Sequence, residues 1–124
     1  MKELTVATWN IGGGYKIAST KQFDYQEKED AAYIIGEIKK VDPDILCLQE
    51  SHVNDGDSLS RRIQEGIGLD YIFEVASHES HIDPRYKNAT VILSKLPITN
   101  QHKVPIPYPE FELRFPDGRD SAFH

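Results

Sequence analysis

Basic charge is scarce in this sequence. Lysine and arginine number 14 against 20 aspartates and glutamates, which gives a net charge of −6 and a pI near 5.3. A strong electrostatic grip on a nucleic-acid backbone shows as a basic face, and this balance argues against one. It leaves phosphate ligands open, because a bound divalent cation reverses the local sign. Cysteine is nearly absent. The single Cys47 cannot close an internal disulfide, and in mid-strand it reads as a buried, inert thiol, which suits a reducing compartment. Apolar runs are all short, so none spans a membrane, and the opening Met1-Lys2-Glu3-Leu4-Thr5 has no leader-like apolar core. A cytoplasmic location is the default expectation. Internal repeats, low-complexity segments and a Gly-x-Ser-x-Gly nucleophile turn are missing too. What remains is a chain of 124 residues, 39% hydrophobic and 27% charged, enough for one soluble domain with one core.

The organising stretch is Asp42-Pro43-Asp44-Ile45-Leu46-Cys47-Leu48-Gln49-Glu50. An apolar run bounded by turn signals suits a buried strand, expected to stop at Gln49-Glu50. A carboxylate at the carboxyl end of a buried parallel strand sits where α/β sheets place their ligands, so Glu50 is a candidate metal ligand. A solvated Glu at a strand end is the alternative.

Upstream, residues 4–10 alternate as a first strand, with Leu4, Val6, Thr8 and Asn10 on one face. Gly12-Gly13-Gly14 follows and calls for unusual dihedrals or a close backbone approach. Residues 15–23 read as a polar loop. Asp24 with Glu27 reads as a capping pair, and Ala31, Ile34, Ile35, Ile38 and Val41 fall at helical spacing, predicting an amphipathic helix over 26–41 that ends before Pro43. Strand, helix, strand at this spacing is a βαβ unit with parallel strands and a right-handed crossover. Asn10 and Glu50 then end neighbouring strands at one sheet edge. Asn10 shares its parity with Val6, and Glu50 shares its parity with Leu46 and Leu48.

Downstream, Asp57 or Ser58 caps a second helix with Leu59, Ile63 and Ile67 on one face and Gly68 as its stop. Residues 71–75 and 88–94 read as strands, with a polar loop over 76–86 between them. Residues 98–104 and 111–115 read as further strands, and Pro116-Asp117-Gly118-Arg119 as a hairpin turn. The chain stops one strand into that hairpin, so it reads as cut.

The glycine turn lacks the Lys-Ser/Thr of a P-loop and the third glycine and helix start of a dinucleotide fingerprint. His78, His81 and Asp83 offer ligands, but without metal-site spacing they read as a solvated loop near the site mouth. His52 lies two residues past Glu50. Position alone brings it near the metal, where it would contact a phosphate oxygen or a metal-bound water; an exposed loop histidine is the alternative.

Thr8-Trp9-Asn10-Ile11, Pro43-Asp44-Ile45-Leu46-Cys47-Leu48-Gln49-Glu50 and Asn88-Ala89-Thr90-Val91-Ile92-Leu93-Ser94-Lys95-Leu96-Pro97-Ile98 together resemble the first three signature blocks of the endonuclease/exonuclease/phosphatase superfamily. Their order and spacing agree over residues 4–98. The resemblance implies an α/β fold of the DNase I-like type: a four-layer α/β sandwich, of which residues 1–124 would be the N-terminal half, a mixed sheet with helices on its outer face. It implies a Mg²⁺-dependent phosphoester hydrolase (nuclease, phosphodiesterase or phosphatase), with Mn²⁺ as an alternative cation. It implies that Asn10 orients the phosphate and the active-site network, and that Glu50 binds the metal. Asn10, Glu50 and His52 are thus the candidate catalytic residues, and Glu50 and Asn10 the candidate metal residues.

The later Asp-x-Asn and Asp-His blocks have no match here, so these residues alone are expected to show little turnover. Half a sandwich would leave an apolar inner sheet face, expected to include Leu46, Leu48, Val91 or Leu93, bare to water. Self-association or pairing with a complementary C-terminal half would cover it. Two readings compete with the enzyme: a nucleotide- or phosphate-binding module built on the glycine turn, and a non-catalytic interaction domain of the same fold.

Overall fold

The computed structural model describes residues 3–17, 25–104, 113–114 and 120–121. Strand β1 (Val6–Asn10) leads into a 3₁₀ turn, Gly12–Gly14. Strands β2 (Tyr15–Ile17) and β3 (Tyr25–Glu29) pair antiparallel. Helix α1 (Ala31–Val41), strand β4 (Ile45–Asn54), the short β5 (Asp57–Ser58) and helix α2 (Leu59–Ile67) follow. Strands β6 (Tyr71–Glu79) and β7 (Lys87–Ser94) complete the main sheet, and β8 (Leu113–Arg114) pairs with β9 (Asp120–Ser121).

The main sheet runs β1-β4-β7-β6, with β5 folded back on β4. β1 and β4 are parallel, as the βαβ spacing predicts; β4–β7 and β6–β7 are antiparallel. The sheet is therefore mixed. Register assigns its faces, because directly paired residues project to the same side. Ala7 and Trp9 of β1 align with Leu46 and Leu48 of β4, and these with Leu93 and Val91 of β7. Both helices back this face: Ile34, Ile38, Leu59 and Ile63 pack with Leu46, Leu48, Val91 and Leu93 in one buried cluster. Burial of side chains this size contributes about 1.5–3 kcal/mol each. The opposite face carries Val6, Thr8 and Asn10, then Ile45, Cys47 and Gln49, then Ile92 and Thr90. It is the more open one: Val6, Thr8 and Asn10 are exposed, and Ile45, Cys47, Gln49 and Ile92 are half-buried.

Several expectations are corrected. Leu46, Leu48, Val91 and Leu93 are not the bare face; the helices bury them, and Val6, Ile45, Cys47 and Ile92 take that place. Cys47 is correspondingly half-buried rather than sealed in the core. Helix α1 begins at Ala31, capped by Asp30, whose carboxylate accepts from Tyr33 N at 3.0 Å. Residues 25–29 are strand because they pair with β2, a tertiary contact that overrides the helical pattern. Residues 15–17, read as loop, are that partner strand, and Asp24 lies outside the described residues. α2 is capped by Ser58 and stopped by Gly68, both as expected. β6 extends four residues into the expected loop, to Glu79. Residues 98–104 form no strand. The β8–β9 pairing closes the expected hairpin, although the turn itself lies outside the described residues. Among the described residues, no helix is long and apolar enough to cross a membrane.

Candidate active site

Strand β4 does not stop at Glu50. It runs on to Asn54, and the interruption at Glu50 is a bulge. Leu48 pairs with Val91 and Ser51 with Ala89, so Gln49 and Glu50 together oppose the single Thr90. The extra residue changes the parity of everything after it. Strict alternation would send Glu50 to the helix face with Leu46 and Leu48. With the bulge, Leu48 and Ser51 both stay on the helix face, Ser51 wholly buried there with Ala89, and the two residues between them turn to the open face. Glu50 adopts φ 53°, in the left-handed region. A non-glycine residue there is held at a cost of about 1–2 kcal/mol.

Asn10 pairs with Gln49 in the parallel ladder, and Ile11 N donates to Gln49 O at 3.0 Å. Asn10 thus stands on the open face one residue from Glu50. Its Oδ1 accepts from Gly12 N at 3.1 Å. Gln49 Nε2 donates to Thr8 Oγ1 at 2.9 Å and locks the two strand ends together. The ladder sets Asn10 beside the Gln49-Glu50 step, as the βαβ spacing implies, but the bulge gives Glu50 a different parity from the one that strict alternation predicts.

The three glycines are used by the fold itself. All have positive φ. Gly12 N is bonded to Asn10, and Gly14 N donates to Ile11 O at 2.8 Å. A Cβ on Gly13 would overlap the His52 ring. The Gly12 and Gly14 amides are thus engaged in closing the turn.

His52 is the second correction. It follows Ser51 back onto the face of Glu50, but only 1% of it is exposed. Gly13 packs against it, Tyr86 stacks on it with ring centroids 5.2 Å apart, and Tyr15 tilts against it at 5.9 Å. Its Nε2 lies 2.7 Å from Ser80 Oγ, and its buried Nδ1 has no partner among the described residues. Burial pushes the imidazole below its usual pKa, so it is neutral at pH 7. Enclosure, not exposure, follows from the turn and loop that close over it. Its ring is thus closed off from solvent, not exposed in a loop.

His81, read as part of a solvated loop, comes closer to the acid than His52's position promised. Its Nδ1 is 4.0 Å from Glu50 Oε1, and both side chains are partly sheltered. Asp83 in the same loop is paired with Arg85, at 3.0 and 2.7 Å, which holds its carboxyl below the usual range. No sequence spacing signals the His81–Glu50 approach, because two loops from different strands make it.

A divalent cation fits this donor set in part. Glu50 offers a carboxylate about one-third exposed, with no lysine or arginine within ion-pair distance among the described residues. A hard cation such as Mg²⁺ takes one or two protein carboxylates and keeps several waters. No group of three or more metal-ligating side chains occurs among the described residues, so Glu50 would supply one share of a site.

A crystal structure of an endonuclease/exonuclease/phosphatase from Beutenbergia cavernae superposes with a TM-score of 0.53 at 21% identity. The match covers 89% of this chain and 28% of that one, so the present chain spans under a third of its length. This likeness shows the fold. No curated protein matches. The family model for the Endonuclease/Exonuclease/phosphatase family matches residues 7–121, nearly the whole sequence. The chain, a partial domain of mixed α/β architecture, belongs to the endonuclease/exonuclease/phosphatase family.

Proposed function

We propose that the domain to which this chain belongs hydrolyses phosphoesters with Mg²⁺, or Mn²⁺ in its place, and that Glu50 holds the cation. The observation that carries this reading is the bulge that turns Glu50 onto the face of Asn10. A sheet that accepts a left-handed glutamate in a central strand, where glycine would sit without strain, has a use for the carboxylate. The cation, when bound, polarises a phosphoryl oxygen and neutralises charge growing on the leaving oxygen.

The chain's own residues divide the remaining work. Glu50 supplies a hard anionic ligand. Asn10 donates from Nδ2 to a phosphate oxygen, and being neutral it adds no repulsion toward the anionic substrate. His52 serves as a neutral wall beneath the site. The general base is not among these residues; a complementary C-terminal segment supplies it, and residues 1–124 alone turn over little. That segment, or a second copy of the chain, covers the open face around Val6, Cys47 and Ile92. The acidic balance favours a small or lipid-like phosphoester over long duplex DNA.

The test is hydrolysis of bis(p-nitrophenyl) phosphate by the full-length protein with Mg²⁺. Glu50→Gln is expected to lower kcat at least about a hundredfold, the scale of one lost electrostatic contact at a reacting phosphate. Asn10→Ala should lose about tenfold or more. Unchanged turnover in the Glu50→Gln protein would overturn the reading.

A further inference from the structure

A metal ligand on a long side chain needs something to aim it. The backbone of Glu50 is fixed by the bulge, but three rotatable bonds separate it from the carboxylate. Outer groups that orient a ligating carboxylate tune metal affinity, typically by about 10–100-fold when they are lost. Among the described residues, the side chain at ion-pair range of Glu50 is His81, with Nδ1 4.0 Å from Oε1. That separation exceeds a direct hydrogen bond. An imidazole at that distance would form a polar wall beside the carboxylate and limit the directions it can take.

The wall is useful only if His81 is itself held, and both its neighbours are. Ser80 N donates to Tyr86 O at 2.9 Å, and Tyr86 N donates to Asp83 O at 3.0 Å, so residues 80–86 close on themselves. Ser80 Oγ accepts from Ile82 N at 3.1 Å and from Asp83 N at 3.4 Å. The same hydroxyl meets His52 Nε2 at 2.7 Å, and Tyr86 stacks on that ring. His52 in turn packs on Gly13, in the turn that holds Asn10. One enclosed imidazole thus ties the loop of His81 to the turn of Asn10.

We propose that His81 is a positioning residue for the Glu50 carboxylate, kept in place by the buried contact between His52 and Ser80. The inference rests on the reading of Glu50 as a cation ligand, and it adds a residue that the family blocks do not contain. It also gives His52 a role its sequence position did not suggest: bracing the loop, without touching substrate.

The probe is Mn²⁺ alone, titrated into the full-length protein and read as free Mn²⁺ by electron paramagnetic resonance. His81→Leu should weaken binding about tenfold, the lower end of what losing an outer-shell partner costs. His81→Asn keeps a polar atom where Nδ1 stands and should bind within about threefold of wild type, well inside that loss. Ser80→Ala should weaken binding with His81 intact. If H81L does not fold, H81Q, which moves the polar atom away from the Nδ1 position, takes its place. Wild-type affinity in H81L, together with lost binding in Glu50→Gln, would overturn the positioning role and leave the metal reading standing. Equal losses in H81L and H81N would also overturn it. Mn²⁺ binding that ignores Glu50→Gln would sink the metal reading, and the inference with it.

Discussion

Asn10 and Glu50 share the open face of the sheet because β4 carries one residue more than β7 between Leu48 and Ser51. That surplus residue decides whether an acid is directed to the helix face or to the open face. It also sets a conflict between stability and function. Glu50→Gly removes the left-handed strain and gives up the contacts of a partly sheltered, acidic side chain, for which no cationic partner at ion-pair range offsets the burial among the described residues apart from His81. The variant is expected to be more stable by about 1 kcal/mol while losing divalent-cation binding. Urea denaturation checks the first part. A loss of stability, as for glycine in an ordinary strand, would contradict the strained geometry.

Gly13 bears on a different conflict. Its φ is 69°, and an added Cβ would overlap the His52 ring. Gly13→Ala should therefore destabilise by about 2 kcal/mol or more, combining backbone strain with overpacking. Adding His52→Ala should recover part of that loss relative to the sum of the two single changes. Strict additivity in denaturation would mean that the two residues do not touch.

The open face predicts association. Val6, Ile45, Ser94 and Tyr71 form one row across all four strands, with Val6 and Tyr71 exposed at its two ends. Residues 1–124 should self-associate as concentration rises, with Val6→Lys plus Tyr71→Lys restoring a monomer. Light scattering decides it; a wild-type monomer at every concentration would count against the open face.

Acid sensitivity follows from Asp83. The Arg85 side chain, and then its backbone N–H, stabilise the ionised carboxylate. A carboxyl whose pKa is depressed by folding contributes its stability above the unfolded value of about 4, and that contribution is lost as pH falls through and below it. Arg85→Ala should thus be less stable than wild type at pH 6, with the gap closing below about pH 4. Urea midpoints at pH 6 and pH 3 test this. A gap that widens in acid would mean the pair does not act as described.

Much of this was legible in the sequence, for identifiable reasons. β1, β7 and α2 carry their own period, caps and stops, β4 its start and apolar run but not its end at Asn54, and the βαβ spacing implied the parallel pair. The start of α1 was not legible, because Tyr25–Glu29 is strand only through its pairing with β2. Nor was the bulge. Glycine is the usual sign of a left-handed bulge residue, and here the position holds a glutamate. Without that shift of parity, the sequence could name Asn10 and Glu50 but not explain how they reach one face. The enclosure of His52 and the approach of His81 depend on a turn and a loop folding over each other, which no local pattern encodes.

Diffraction from Mn²⁺-soaked crystals of the full-length protein addresses the central claim most directly. The account predicts an anomalous peak at coordination distance from the Glu50 carboxylate, on the sheet face shared with Asn10 and beside His81. A peak elsewhere, or a Glu50 side chain turned toward Leu46 and Leu48 beneath the helices, would contradict it.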